Sequence, residues 1–575
     1  MNNDQLIGYL KADSQISYDM QMRRYPQWDE NYLLYRDKVV TNRLTQRQAV
    51  NLPIVRETVQ TWIAKIDEPP LLSYETRGQD NDSKRGEIIW NELYQYYYNT
   101  LKLELLDNQE KKIVGLQGRC FKKIGWNIID NCPWVDVIDP YDIELDPKTN
   151  PYDIETANFI NHIHIFRPLR TILANKSFTE EGKQELKKYL DSKMGIIRQD
   201  DVVGAQQIRD DRLRALGVTN FDAIGAKDVI VELKECYKLI FDEKQNKFVR
   251  HLIIVGADTA ILYKKPLKEA IKVKFLPFIT WADDPDINDP WSDGKADSVR
   301  TFNKIANVYV SQMLENRTYR NFGMFFYDST NQKFSPNSVD PRPFGMYPMA
   351  GDPNKITKQM TIEPLTGTVE EISFLKQLIQ SSVAITPNEQ GLDDKGVTTL
   401  GETKINLQQS QGRLAVTAKN YRSAWKEFGW KFYEICKANS KGKITLYKKG
   451  ADDQYYPKDV YPSDWQTGGH GFEVKVVLKS ERDAENTQTL QTSQYVTSSY
   501  PNNAVAQRIA KRKTLEALGW KPDEIQQVED ADNQIKNTPM NPDGTPAGDP
   551  NAPVTDITAP PKTQLSPEQV AGLMK

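Results

Sequence analysis

Apolar residues recur at helical and strand spacings along most of this chain. In "NLPIVRETVQTWIAKI", Ile54, Val55, Val59, Trp62, Ile63 and Ile66 fall on one face of a 3.6-residue helix. Asn51 is placed to cap it, Pro53 sits in its first turn, and Pro69 and Pro70 stop it. "IIWNELYQYYYNTLKLELL" predicts a second helix near 82–107, with another beginning around Asp107. The spacing then drops to two: "CFKKIGWNII" and "PWVDVIDP" read as paired strands. In "PYDIELDP" the alternation puts Tyr141, Ile143 and Leu145 on one face and Asp142, Glu144 and Asp146 on the other, expected to face water. "NFINHIHIFRP" is the next strand, near 158–166, with His162 and His164 on one face. Residues 169–215 read as polar and helical, and 228–264 as a hairpin turning at "DEKQNK".

Beyond residue 280 the pattern lengthens. An acidic loop, "DDPDINDPWSDGKAD", leads into an amphipathic helix marked by Val299, Phe302, Ile305, Ala306, Tyr309 and Met313. Residues 324–365 are rich in Pro, Gly and Met and read as a small irregular or β subdomain. "TVEEISFLKQLIQSSVAIT" is a further helix, and "PNEQGLDDKGVTT" a loop with two glycines. The longest helix is expected from about Leu400 to Cys436. Leu407, Leu414, Tyr421, Phe428 and Ile435 recur every seven residues, with Gln411, Ala418, Trp425 and Phe432 between them. The ordinary reading of that seam is a helix buried in a large core; a face turned to a partner is the sharper one. Gly412 and Gly429 are expected to weaken the helix and mark bends. Short strands ("KITLYKK", "FEVKVVLK") and two helices near 481–497 and 503–519 follow. The tail from about 536 lacks the apolar surface to fold alone, and its end, "SPEQVAGLMK", carries a capping box at Ser566 and Gln569 with Pro567 at the first helical position. Residues 1–50, with "MQMRRYPQWDENYLLYRDKVV", read as a helical or extended arm.

Composition narrows the function. The 575 residues are 39% hydrophobic and 27% charged, with a net charge of -3. Tight grip on nucleic acid needs an excess of Lys and Arg, so that class is disfavoured, though local contact with DNA is not. Cys120, Cys132, Cys236 and Cys436 show no CxxC pair or zinc spacing, which fits a reducing cytosol. No basic-then-apolar leader opens the sequence, and no apolar run nears the roughly 20 residues of a membrane span.

The search for chemistry ends without a catalytic constellation. No GxxxxGK[ST] phosphate loop, G-x-S-x-G elbow or HExxH is present. The acids of 134–147 miss the calcium-loop template, because Pro147 stands where its Gly belongs. The His162/His164 pair lacks a third ligand at metal spacing. The six aspartates between Asp283 and Asp297 are the one stretch fit for a hard cation or a two-metal nuclease, but a solvated loop preceding a helix accounts for them. No catalytic residue, metal or cofactor is expected.

The order of elements resembles that of the portal proteins of tailed bacteriophages over about residues 20–530. "NLPIVRETVQTWIAKIDEPPLLSYE" looks like the first wing helix and its strand, and "VDVIDPYDIELDP" like the family's strand and Pro turn. "LPFITWADDP…GKADSVRTFNKIANVYVSQMLENR" is similar to the entry into the first stem helix, and "TLGETKINLQQSQGRL…YRSAWKEFGWKFYEI" to the long helix after the tunnel loop. The resemblance implies an α+β fold with a mixed α/β wing, long stem helices, a small clip, a helical crown and a disordered tail. Its divisions would be an arm at 1–50, wing at 51–280 and 399–480, acidic loop and first stem helix at 281–323, and clip at 324–365. The second stem helix would lie at 366–384, the tunnel loop at 385–398, the crown at 481–535 and the tail at 536–575. It implies a dodecameric ring at one capsid vertex of the virion, assembled in the host cytoplasm, through which double-stranded DNA is packaged and ejected. Implied partners are the terminase large subunit, the head–tail adaptor, and the major capsid and scaffold proteins, with no membrane. Asn388, Glu389, Gln390, Asp393, Asp394 and Lys395 would face DNA, and Leu407, Leu414, Tyr421, Trp425, Phe428 and Phe432 would form the helix seam. Two other classes stay open. One is a metal-dependent nuclease using Asp283–Asp297 or the His162/His164 face; the other is a virion or scaffold protein pairing through the 407–435 seam.

Overall fold

The computed structural model describes residues 3–38, 50–66, 71–78, 80–193, 229–243, 246–322, 324–327, 357–360, 363–364, 367–383, 400–449, 455–466, 471–477, 479–501 and 503–518, with 525 and 528. Two compact units divide the chain, Met1–Leu478 and Lys479–Lys575.

The first unit begins with helices α1 (Asn3–Gln21) and α2 (Tyr25–Tyr35). They take the helical form of the two expected for residues 1–50, and Leu6, Leu10, Trp28 and Leu34 are buried against later parts of the chain. Helix α3 (Ile54–Lys65) follows Pro53 and buries Val55, Val59 and Trp62 as its spacing predicts. Strand β1 (Leu71–Thr76) leads to α4 (Asn81–Thr100), whose N-cap Asp80 accepts from the Ser83 amide at 2.9 Å. The expected helix 82–107 breaks early: Lys102 takes a left-handed conformation (φ 53°), and α5 (Leu103–Gln117) starts there. Neither Gly nor Pro announces that break.

Strands β2 (Arg119–Asn127) and β3 (Cys132–Ile138) pair antiparallel, as expected, and β9 (Phe278–Ala282) joins the other edge of β2. A second sheet, in the order β4-β5-β6-β7-β8, is formed by β4 (Ile143–Leu145), β5 (Phe159–Pro168), β6 (Ile230–Asp242), β7 (Lys247–Gly256) and β8 (Ala260–Pro266). The β6–β7 hairpin turns where "DEKQNK" predicts. Helices α6 (Leu169–Ala174), α7 (Glu180–Lys193) and α8 (Leu267–Ala270) border this sheet.

Helix α9 (Lys295–Phe322) packs against α10 (Thr368–Val383), and β10 (Met324–Tyr327) pairs antiparallel with β11 (Thr357–Met360) between them in sequence. The 40-residue α11 (Leu400–Asn439) is the longest described element, about 60 Å by helix rise. It is followed by the β12 (Ile444–Lys449) and β13 (Tyr455–Val460) hairpin, α12 (Pro462–Trp465) and β14 (Phe472–Val477), which pairs with β1. In the second unit, α13 (Lys479–Ser499) packs on α14 (Ala504–Ala517), whose N-cap Asn503 accepts from the Val505 and Ala506 amides.

An aromatic core holds the first unit together. Trp62, Tyr74, Trp90, Tyr94, Tyr97, Tyr421, Trp425, Phe428, Phe432, Tyr433 and Trp465 belong to one buried cluster. Its rings meet edge-to-face, as quadrupoles favour: Trp90 and Tyr433 at 5.0 Å, Tyr97 and Phe432 at 5.8 Å. Among the described residues, no helix is long and apolar enough to cross a membrane.

Candidate functional site: the acidic loop and the long helix

The acidic loop joins β9 to α9; Asp284, Asp286, Asn288 and Asp293 are exposed as expected of a solvated loop, but the loop is also cross-braced by hydrogen bonds and buries Asp283 and Trp291. Asp283 is only 3% exposed. Its carboxylate pairs with Lys295 at 2.5 Å and accepts from the Thr417 hydroxyl of α11, while Asn420 donates to its carbonyl at 3.2 Å. Asp284 and Asp293 bridge across the loop through their backbones. Asp286 accepts from the amides of Asn288 and Asp289, which hold its carboxyl below the usual range. Arg24 pairs with both Asp289 and Asp293. Asp297, in the first turn of α9, accepts from Gly294 N at 2.9 Å and Arg300 at 2.7 Å, where the helix dipole also favours an acid. Trp291 is fully buried between Trp28 and Phe121. Gly118 (φ 87°) ends α5 against this loop; a Cβ there would lie 2.3 Å from the Ser292 carbonyl.

Of the acids of 134–147, Asp136 is exposed while Asp139, Asp142, Glu144 and Asp146 are engaged, and the expected water-facing side is wrong for two of them. Pro140–Asp142 is a 3-10 turn and only Ile143–Leu145 is strand. Glu144 and Asp146 are 7% and 5% exposed. Glu144 accepts from Ser14 at 2.7 Å and Asn161 at 2.8 Å, and Asp146 from the Asn158 side chain at 2.7 Å. A buried carboxylate met by donors is a structural anchor.

The histidines part company at a β-bulge. The pairing of β5 with β6 shifts between His162 and Ile165, and His164 has a positive φ of 59°. His164 meets Asp142 at 2.8 Å, whereas His162 lies 3.2 Å from the Lys123 ammonium. Burial, reinforced by Lys123, pushes His162 down to about 4, so its ring is neutral at pH 7. Among the described residues, no group of three His, Cys, Asp or Glu side chains is placed to hold a metal ion.

The long helix turns its C-terminal half inward. Tyr421, Trp425, Phe428 and Phe432 are buried in the chain's own aromatic core. This half of the 407–435 seam therefore takes the buried-helix form and presents no apolar stripe to a neighbour. Gly429 serves close packing: a Cβ there would lie 2.8 Å from Val474 and 3.0 Å from Leu72. The side chains of Leu407 and Leu414 lie outside the described residues, as do the whole loop with Asn388, Glu389, Gln390, Asp393, Asp394 and Lys395, and the tail with its Ser566 capping box.

Charges that the sequence reading did not single out lie beneath the long helix. Lys111 pairs with Asp107 at 2.7 Å, both essentially unexposed, and the Tyr421 hydroxyl donates to Asp107. Lys122 pairs with Glu110 at 2.6 Å while its ammonium sits 4.1 Å from the Trp425 ring and 4.5 Å from that of Phe428. Burial pushes the Glu110 carboxyl up to about 7, against the pull of Lys122. Lys431 is held by Glu427 and Glu155, each at 2.7 Å. The Asp107/Glu110/Lys111 spacing of i, i+3, i+4 on a helix otherwise apolar on that face was the available signal. The arrangement binds loop, sheet and helix into one framework, and it aligns no nucleophile with a base.

A family model described as phage SU10 portal protein matches residues 67–570 of the chain. No curated protein matches it.

Proposed function

The chain belongs to the phage SU10 portal protein family, a structural family of the phage particle, and from that premise we propose that it is a subunit of the ring through which double-stranded DNA enters and leaves the capsid. The family match carries this reading, because it spans both units of the chain. The path of the chain supports the finer assignment. Helices α9 and α10 pack side by side as the stem, and the β10–β11 ribbon leads out of them to the clip, which meets the terminase large subunit and later the head–tail adaptor. The two sheets and the inner half of α11 form the wing, facing capsid and scaffold proteins, and α13 with α14 form the crown. In this reading residues 51–280 and 399–480 are the wing, 281–323 the acidic loop and first stem helix, 324–365 the clip, 366–384 the second stem helix, 385–398 the tunnel loop and 481–535 the crown. The uncovered Val369 and Phe374 of α10 and Val416 of α11 suit heterologous contacts with neighbouring copies in a closed ring, a dodecamer in the portal pattern.

A conduit must let the duplex slide, and a net charge of -3 avoids the counterion-driven grip of a DNA-binding protein. Glu389, Asp393 and Asp394 against Lys395 would repel phosphates mildly from the tunnel loop. The test is the triple change Glu389→Lys, Asp393→Lys, Asp394→Lys in a packaging assay. Assembly intact with slower, salt-sensitive packaging is expected. Packaging at the native rate and salt dependence would remove this loop from the DNA path.

A further inference from the structure

We infer that residues 3–35 are a strap that locks the five-stranded sheet to the acidic loop and the base of α9, so that wing and stem move together. This stretch precedes the part matched by the family model. Its two ends serve different neighbours. At the sheet end, Leu6 and Leu10 pack on Cys236, Ile253, Val255 and Ile261. Below them α1 covers the outer edge of β4, the edge strand of the sheet. Ser17 Oγ accepts from the Leu145 amide at 2.9 Å, and Gln21 Nε2 donates to the Ile143 and Pro140 carbonyls at 2.7 and 3.1 Å. Those backbone groups would otherwise be an open edge, and two side chains of α1 take the place of a further strand. Asp13 pairs with Lys238, and Ser14 joins Glu144 to Lys234.

At the stem end, Glu30 pairs with Lys304 at 2.9 Å and Arg300 at 3.3 Å. Asn31 donates to Asp297 at 3.0 Å and to the Leu116 carbonyl at 2.8 Å. Leu34 enters the cluster of Val55, Ala296 and Val299. Between the ends, Arg24 holds Asp289 and Asp293 of the loop. Trp28 meets Tyr141 on the sheet side at 5.1 Å and Trp291 of the loop at 5.4 Å, and the Tyr141 hydroxyl donates to Asp29 at 2.6 Å. One run of 33 residues thus touches sheet edge, loop and stem helix in order, with a charged or buried anchor at each. Cooperative opening units are built from such shared contacts. A displacement of the sheet is passed to α9 through the strap, and a displacement of α9 returns to the sheet edge by the same path.

The inference rests on the portal reading only for what is being transmitted, and its test needs no ring. Hydrogen exchange is measured on the full chain carrying Arg24→Gln, and separately on Ser17→Ala/Gln21→Ala. Arg24→Gln is expected to speed exchange by about ten-fold or more at 284–297 and in the first turns of α9, as for loss of a charge-assisted contact. It must also speed exchange at 143–145, which Arg24 does not touch. The double variant is expected to act in reverse, loosening 143–145 and also 286–293. Strands β1 and β14 are the reference and should be unchanged. If Arg24→Gln also speeds the reference, the fold itself has loosened and the milder sheet-side variant decides. Effects confined to each variant's own contacts would overturn the strap.

Discussion

Replacing Lys122 by Met should destabilise the first unit in a strongly pH-dependent way. Lys122 and Glu110 are 4% and 2% exposed at their side chains, 2.6 Å apart, beneath Trp425 and Phe428. Methionine keeps the apolar stem and leaves Glu110 without its cation. Breaking a buried pair from one side costs about 3–5 kcal/mol while the remaining group is charged. Burial already pushes the Glu110 carboxyl from 4.5 up to about 7 with the ammonium present. At about 1.36 kcal/mol per pH unit, charging it in the fold is harder than in the unfolded chain by about 3 kcal/mol. A raised acid takes up a proton on folding, so the stability it contributes is present at low pH and lost as pH rises from about 4.5 through about 7. Without Lys122 the carboxyl rises further. At pH 5 it is neutral in the fold, and Lys122→Met should cost only about 1–2 kcal/mol of packing and hydrogen bonding. At pH 8 the loss should reach the full 3–5 kcal/mol, about the cost of an uncompensated buried charge. Urea unfolding followed by tryptophan fluorescence and near-UV circular dichroism reads this directly, since Trp281 and Trp425 belong to the same buried cluster. Adding Glu110→Gln to Lys122→Met should flatten the pH dependence and recover stability at pH 8. An equal loss at pH 5 and pH 8, or no recovery in the double variant, would refute the reasoning.

His162 works in the opposite sense. Its ring falls from 6.5 to about 4 in the fold, so the stability it contributes is present above about 6.5 and lost as pH falls through about 4. Replacing His162 by Phe should abolish about 3 kcal/mol of acid sensitivity across that window, seen as a flatter urea midpoint from pH 7 to pH 4; an unchanged slope would mean the ring titrates normally. Gly429→Ala improves helix propensity by about 1 kcal/mol yet drives a methyl into Val474 and Leu72, so a net loss of about 1–2 kcal/mol is expected by the same unfolding assay. A gain in stability would show that α11 is not pressed on the β1–β14 ribbon.

Periodicity made most elements legible. The positions of α11, of the paired β2 and β3, of the β6–β7 hairpin and of the α13–α14 pair follow from spacing to within a few residues at their ends. What covers an apolar face is another matter. The heptad of Tyr421, Trp425, Phe428 and Phe432 specifies a stripe, and only the fold reveals that α4, α12 and the chain's own strands fill it. Buried charges were the least legible. Glu144 and Asp283 read as solvent-facing because such groups usually are, Glu110 and Lys122 drew no notice, and their partners lie a dozen to more than a hundred residues away. The bulge at His164 inverts an alternation that no Gly or Pro interrupts. The N-terminal stretch was legible as a helical or extended arm, but its docking was not, because Ser17, Gln21, Arg24 and Asn31 meet acceptors and donors far along the chain.

The central claim is that copies of this chain close into a portal ring. Negative-stain electron microscopy of the purified 66.0 kDa chain, with its mass by light scattering, tests it most directly. The account predicts closed rings with a central hole wide enough for duplex DNA, at a mass near that of a dodecamer. Solid rods or small elongated oligomers without a pore, under conditions where added scaffold and capsid proteins also fail to produce rings, would contradict it.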